Sequence, residues 1–200
     1  MKNNANGISA RERIEQAAIE LFARKGYADT SVREIVEAAR VTKPVLYYYF
    51  GSKEHLYDAL AFERFDEFFA WLRERTLAGK TLRERLVGYA NAHFERIRSH
   101  PTLARFILGT IFSSGSGAPH VNLNERLNQF DQLVLEVLSE GAERGEFPAA
   151  NLTNIAVVQF IGCVSVYVLS NAIGMEENPG PEQAEGLVDL FLNGLEKKNA

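Results

Sequence analysis

The chain has 200 residues, 46% of them hydrophobic, enough to bury a substantial core in one or two domains. Its net charge is −4, but unevenly spread: residues 1–57 hold nine Lys/Arg against seven Asp/Glu, residues 58–200 thirteen against nineteen. The single cysteine, Cys163, excludes an intrachain disulfide, and the first fifteen residues hold no apolar signal segment, so a reducing cytoplasm is the expected location.

The first helix is expected over residues 9–25, with Ile14, Ala17, Ala18, Leu21 and Phe22 on one face before Gly26-Tyr27 ends it. Residues 31–39 follow as a short helix. Ser31 and Glu34 form a Ser-x-x-Glu capping box, Thr30 is an alternative cap, and Val32, Ile35, Val36 and Ala39 recur at helical spacing. After the break Arg40-Val41-Thr42, residues 43–50 make a second short helix, with Thr42 as cap and Pro44 in its first turn. Two helices of about two turns joined by three or four residues read as a helix-turn-helix, whose second helix enters the DNA major groove. Leu46 and Phe50 face inward, leaving Lys43, Val45, Tyr47, Tyr48 and Tyr49 on or near the exposed sides. Three adjacent helical positions span about 200° of arc, so the tyrosines cannot share one buried face. An outward phenol offers an apolar ring and a hydroxyl that can bond a phosphate oxygen.

These residues carry a resemblance. Gly26-Tyr27, Thr30 through Val36, Val41-Thr42-Lys43, Leu46 through Phe50 and Gly51 through Leu56 follow in the order and gaps of a known family. From Ile14 to Tyr57 the chain resembles the DNA-binding domain of the TetR family of transcriptional regulators, with Ser52 capping the next helix. The resemblance covers about the first quarter by motif and the remainder by architecture. It implies an all-α fold of about nine helices: an N-terminal three-helix helix-turn-helix domain over 1–52, then a C-terminal helical effector-binding and dimerisation domain over 53–200. By the same match, Arg33, Lys43, Pro44 and Val45 are candidates for base-edge or groove contacts. Thr30, Thr42, Tyr47, Tyr48, Tyr49 and Lys53 are candidates for phosphate contacts. One position departs: Arg40 stands where the family usually carries a left-handed glycine. A non-glycine residue there costs about 1–2 kcal/mol. Either the turn tightens differently or a phosphate contact offsets the cost.

Everything after Ser52 reads helical, without an alternating strand run. Helices are expected over 52 to about 77, 81–99, 101 to near 112, 121–144, 151–172 and 181–197. Residues 113–119 form a flexible loop lacking the ending of a phosphate loop, and 174–181 a Gly/Pro linker. Residues 155–175 hold no charge, long enough to span a bilayer. Gln159, Ser165, Ser170 and Asn171 interrupt them, and no Lys or Arg lies between Arg144 and Lys197 to anchor a span. A helix apolar all round is expected where one face meets its own domain and the other a partner subunit, so no membrane is expected. Cys163 is expected as an inert buried thiol. Gly162, Cys163 and Ser165, with Ala184, Leu187, Val188, Phe191, Gly194 and Leu195, suit a homodimer through the last two helices.

In the helix from Thr81, residues Leu82, Leu86, Tyr89, Ala90, His93, Phe94 and Ile97 make one apolar stripe carrying a polar pair, Tyr89 and His93. Such a pair is ordinarily a hydrogen-bonded core. The sharper expectation is a small-molecule cavity formed by Tyr89, His93, Phe94, Phe106, Phe112, Phe130, Gln159 and Tyr167. Family resemblance implies an effector there. The leading reading is a homodimeric repressor released from a palindromic operator in double-stranded DNA by that effector. The alternative is a helical small-molecule binding protein with weak or lost DNA binding, supported by the small basic excess and by Arg40. The four histidines lack metal-ligand spacing and no nucleophile motif surrounds Cys163 or any serine, so neither an enzyme nor a cofactor is expected.

Overall fold

The computed structural model describes residues 8–112, 119, 121–175 and 179–196, so most of the expected 113–119 loop and part of the 174–181 linker lie outside the described residues. Among the described residues there are nine α-helices and no strand: α1 (Ala10–Lys25), α2 (Val32–Ala39), α3 (Lys43–Phe50), α4 (Lys53–Leu77), α5 (Leu82–Ser99), α6 (Pro101–Ile111), α7 (Asn124–Glu143), α8 (Asn154–Ala172) and α9 (Pro181–Glu196). A short 3-10 turn, Ala149–Asn151, precedes α8, which starts at Asn154, three residues later than the sequence predicts.

Capping side chains set most of the starts. Ser9 with Glu12, Ser31 with Glu34 and Thr81 with Glu84 each form a reciprocal capping box. Ser52 Oγ accepts from the His55 N–H at 3.0 Å, opening α4. Thr42 differs from expectation: it occupies the cap position of α3 without a side-chain bond, and Pro44 in the first turn removes one donor that a cap would serve. Gly51, at φ +74°, ends α3 in a backbone conformation that side-chain-bearing residues rarely adopt.

The chain divides into two compact units. The first comprises Met1–Arg64 and Thr102–Asn122, the second Phe65–Pro101 and Leu123–Ala200. The sequence predicts the boundary after residue 52. Apolar burial explains the difference, because Leu56, Tyr57, Leu60 and Ala61 of α4 and Phe106 of α6 join Ile14, Ile35 and Leu46 in one core. Phe22 stacks on Phe106 there, Tyr57 meets both rings edge to face, and Tyr57 Oη lies 3.0 Å from Thr110 Oγ1. Glu15, 6% exposed, ties α1 to α4 by accepting from Arg11 and Arg64 at 2.8 Å each.

In the second unit α5 packs against α7, α8 and α9 around Leu86, Tyr89, Phe94, Phe160, Val188 and Phe191. Gly88 permits a close approach of α5 to α4: a Cβ there would stand 2.8 Å from the Arg75 carbonyl oxygen. Among the described residues only one side of α8 is covered. Ala156, Val157, Phe160 and Val164 are buried, while Ile155, Val158, Val166 and Ile173 are exposed. Cys163 lies among the exposed positions, which corrects the expected buried thiol: α8 is apolar all round, so apolar neighbours in sequence did not imply burial. On α9, the expected interface residues Ala184, Val188, Phe191 and Leu195 turn into the core and Leu187 is half-buried, while Leu190 and Gly194 face outward.

Candidate nucleic-acid interface

The recognition surface begins with a rigid turn. Arg13 Nε donates to the Ala39 carbonyl at 3.1 Å, and the Val41 N–H reaches back to Val36 at 3.0 Å. Between them Arg40 adopts φ 54°, ψ 49°, the left-handed conformation the resemblance implied for this position. It is the one non-glycine residue with positive φ among the described residues.

Beyond the turn, α3 buries Leu46 fully and Phe50 nearly so, which fixes its rotation. Lys43 and Pro44 are thereby exposed and Val45 half-buried. All three tyrosines face outward: Tyr47 is 47% exposed, Tyr48 83% and Tyr49 43%. Their outward rings leave apolar surface on α3 that the core of the first unit does not cover. Tyr48 and Tyr49 pack edge to face at 5.2 Å, which steadies both rings.

Other expected contacts are placed differently. Arg33 is exposed on α2, its Nε donating to Glu37 at 2.7 Å; Glu37 raises its pKa further. Thr30 is buried and its hydroxyl donates to the Gly26 carbonyl at 2.7 Å, so that side chain is spent within the fold. Lys53 Nζ donates to the Tyr27 and Thr30 carbonyls at 3.0 and 2.9 Å and stands 3.8 Å from the Tyr27 ring centre. Burial lowers its pKa. Its main visible work is to tie the start of α4 to the chain entering α2. Thr42 remains exposed.

The expected effector residues do not all come together. Tyr89, His93, Phe130, Phe94 and Tyr167 lie in the second unit. The His93 ring sits 5.1 Å from Phe68, 4.6 Å from Tyr89 and 5.7 Å from Phe130. Its Nδ1 lies 3.0 Å from the Tyr89 carbonyl, which can only accept, so Nδ1 carries the proton. Burial holds the ring neutral, its pKa pushed down to about 4. Phe94 packs on Tyr167 at 5.3 Å. Phe106 instead belongs to the core of the first unit, and Phe112, at the end of α6, is 65% exposed. Gln159 is exposed on α8, one residue from the buried Phe160; in a helix without polar periodicity the sequence could not tell the two faces apart. Phe68 and Phe69, absent from the expected lining, stand beside His93 and Phe130 respectively, and Trp71 packs on Phe68; their spacing along α4 was the available signal.

A capped α2, a tight turn and a short α3 with an exposed polar-aromatic face define a helix-turn-helix DNA-binding protein. A family model described as bacterial regulatory proteins of the tetR family matches residues 14–60. The HTH-type transcriptional repressor KstR2 of Mycobacterium tuberculosis is 30% identical over 139 residues, 70% of either chain. The fatty acid degradation regulator FadR from Bacillus halodurans superposes with a TM-score of 0.77 at 24% identity, covering 96% of this chain and all of that one. FadR from Bacillus subtilis, solved in complex with stearoyl-CoA, gives 0.72 at 23% identity over 92% and 97%. The chain belongs to the TetR family of bacterial transcriptional regulators. It is a DNA-binding regulator of transcription and not an enzyme.

Proposed function

We propose that this regulator is a cytoplasmic homodimeric repressor that leaves a palindromic operator when a small-molecule effector binds its second unit. The exposed tyrosine face of α3 carries the DNA half of this reading. Lys43, Pro44 and Val45 would meet base edges, Arg33 would join them by exchanging Glu37 for a base, and Thr42, Tyr47, Tyr48 and Tyr49 would hold phosphates. Lys53 would offer its remaining N–H to a phosphate while keeping its carbonyl bonds, and Thr30 would act only through the backbone it supports.

The outward face of α8, with Leu190 of α9, supports pairing of two copies. Contiguous exposed apolar surface on a chain of this size is characteristic of an interface. By length and composition α8 could cross a membrane. Family membership and the polar residues along it favour a protein partner instead.

The effector is proposed as a largely apolar molecule held among Phe68, Phe69, Phe130 and Tyr89, with His93 as one orienting polar group. The stearoyl-CoA complex of the similar FadR supports that chemistry. Binding of effector to a dimer unsuited to the operator would shift the population from DNA, and DNA would reciprocally weaken effector binding. Selection of duplexes from a random library by the purified protein, followed by titration with long-chain acyl compounds, tests both halves. A two-fold symmetric consensus released by an acyl ligand is expected; a protein that binds acyl compounds but retains no duplex would leave only a small-molecule binding function.

A further inference from the structure

Arg40 holds a conformation that glycine would hold with less strain. Asn and Asp tolerate it because their short side chains bond the local backbone; arginine has no such compensation. The backbone N–H of Arg40 bonds the Val36 and Glu37 carbonyls, which glycine would do equally. What arginine adds is its side chain, and that is exposed with no hydrogen bond, ion pair or ring contact among the described residues.

That isolation sets it apart. Of the fifteen described arginines, all but Arg24 and Arg40 donate to a neighbour or lie over a ring. The carboxylates along α2 are already taken, Glu37 by Arg33 and Glu34 by Lys25. Arg24 lies on ordinary helix, where its conformation is unstrained. Arg40 sits three residues before Lys43, the first residue of α3, on a turn that bonds from Arg13 and Val41 hold rigid. Strain retained at a rigid position beside a binding surface points to function, because no hydrogen bond or ion pair of its side chain among the described residues recovers it.

We infer that the Arg40 guanidinium is an additional DNA-backbone contact, donating to an operator phosphate next to the groove entered by α3. A guanidinium is always charged, and its planar fork matches phosphate oxygens. The inference rests on DNA binding by the first unit. The competing role is local: a cation at the C-terminal end of α2 favours the helix dipole. The two roles predict opposite effects on stability.

The test uses the full chain, the variants Arg40→Gly and Arg40→Lys, a duplex selected by the wild type from a random library, and an unrelated duplex of equal length. Arg40→Gly raises the melting midpoint by about 2–4 °C, since the strain is released. Its plot of log affinity against log salt is shallower by about one unit for each Arg40 in the complex. Between 50 and 200 mM salt the wild type therefore loses about threefold more affinity per Arg40 than the variant. Both duplexes feel the change, and Arg40→Lys keeps the slope because the charge remains. An Arg40→Gly protein with wild-type affinity and slope overturns the inference, and so does one that melts lower, which assigns Arg40 to the helix dipole. A change confined to one base pair of the selected duplex makes Arg40 a base reader and overturns it too. If the wild type retains no duplex at all, the DNA-binding reading falls first, and its failure is visible before any variant is made.

Discussion

Single side chains divide into those that hold the first unit together and those free to act. Glu34 belongs to the first group. The Lys25 ammonium, then Ser31, hold its carboxyl down at about 2. A carboxyl whose pKa is depressed on folding stabilises above its unfolded value and loses that contribution as pH falls towards 2. Thermal midpoints should therefore drop between about pH 4.5 and 2, with a smaller drop in Glu34→Gln. His93 shifts downward for the opposite chemical reason, since burial penalises its cation. The unfolded imidazole takes a proton near pH 6.5 and the folded one only near 4. Stability should be complete above pH 6.5 and decline through that window by at most on the order of 3 kcal/mol. In His93→Phe, the fall in stability between pH 7 and pH 5, measured by urea unfolding, should be smaller than in the wild type by the His93 contribution. Lys53 was legible as a cation beside the motif, but not its two carbonyl bonds, because they depend on where the chain before α2 folds back. Lys53→Ala should cost about 2 kcal/mol in urea unfolding, the range of a charged hydrogen bond, as well as DNA affinity.

At the scale of elements, the helix starts were readable because capping is local: Ser9, Ser31, Ser52 and Thr81 each bond a backbone N–H within three residues. Faces were readable wherever apolar residues alternate with polar ones. In α3 the buried pair Leu46 and Phe50 fixes the rotation and so exposes all three tyrosines. Leu46→Ala should therefore cost about 2–5 kcal/mol and abolish DNA binding with it. Tyr48→Ala should leave stability within about 0.5 kcal/mol and weaken binding alone. Urea unfolding alongside a duplex-binding titration separates the two, and a large stability loss in Tyr48→Ala would show that its ring is structural. In α8 no polar stripe marks the outside, so Gln159 and Cys163 were assigned inward and stand outward. That information lies in what α8 packs against, not in α8.

For the whole molecule, the boundary between units was legible only in part. The helix-turn-helix motif ends near Leu56, yet the core it closes draws on Leu60 and Ala61 and on Phe106, fifty residues further along the chain. No local pattern records such a return. The proposed pairing of two copies belongs to this scale, and the exposed side of α8 is where it should fail when charged. Val166→Asp should convert the protein to a folded monomer, with unchanged helicity by circular dichroism and half the mass by light scattering. A wild type already monomeric at micromolar concentration would remove the interface.

In the proposed complex, two copies of α3 enter the major groove of one duplex at a fixed separation. Hydroxyl-radical footprinting of a selected duplex, with the mass of the complex measured in parallel, decides whether they do. Two symmetric protected windows about 10–10.5 base pairs apart, or a multiple of that, on a duplex carrying paired chains is the predicted result. A single window bound by one chain, or uniform protection unchanged on random sequence, would contradict it.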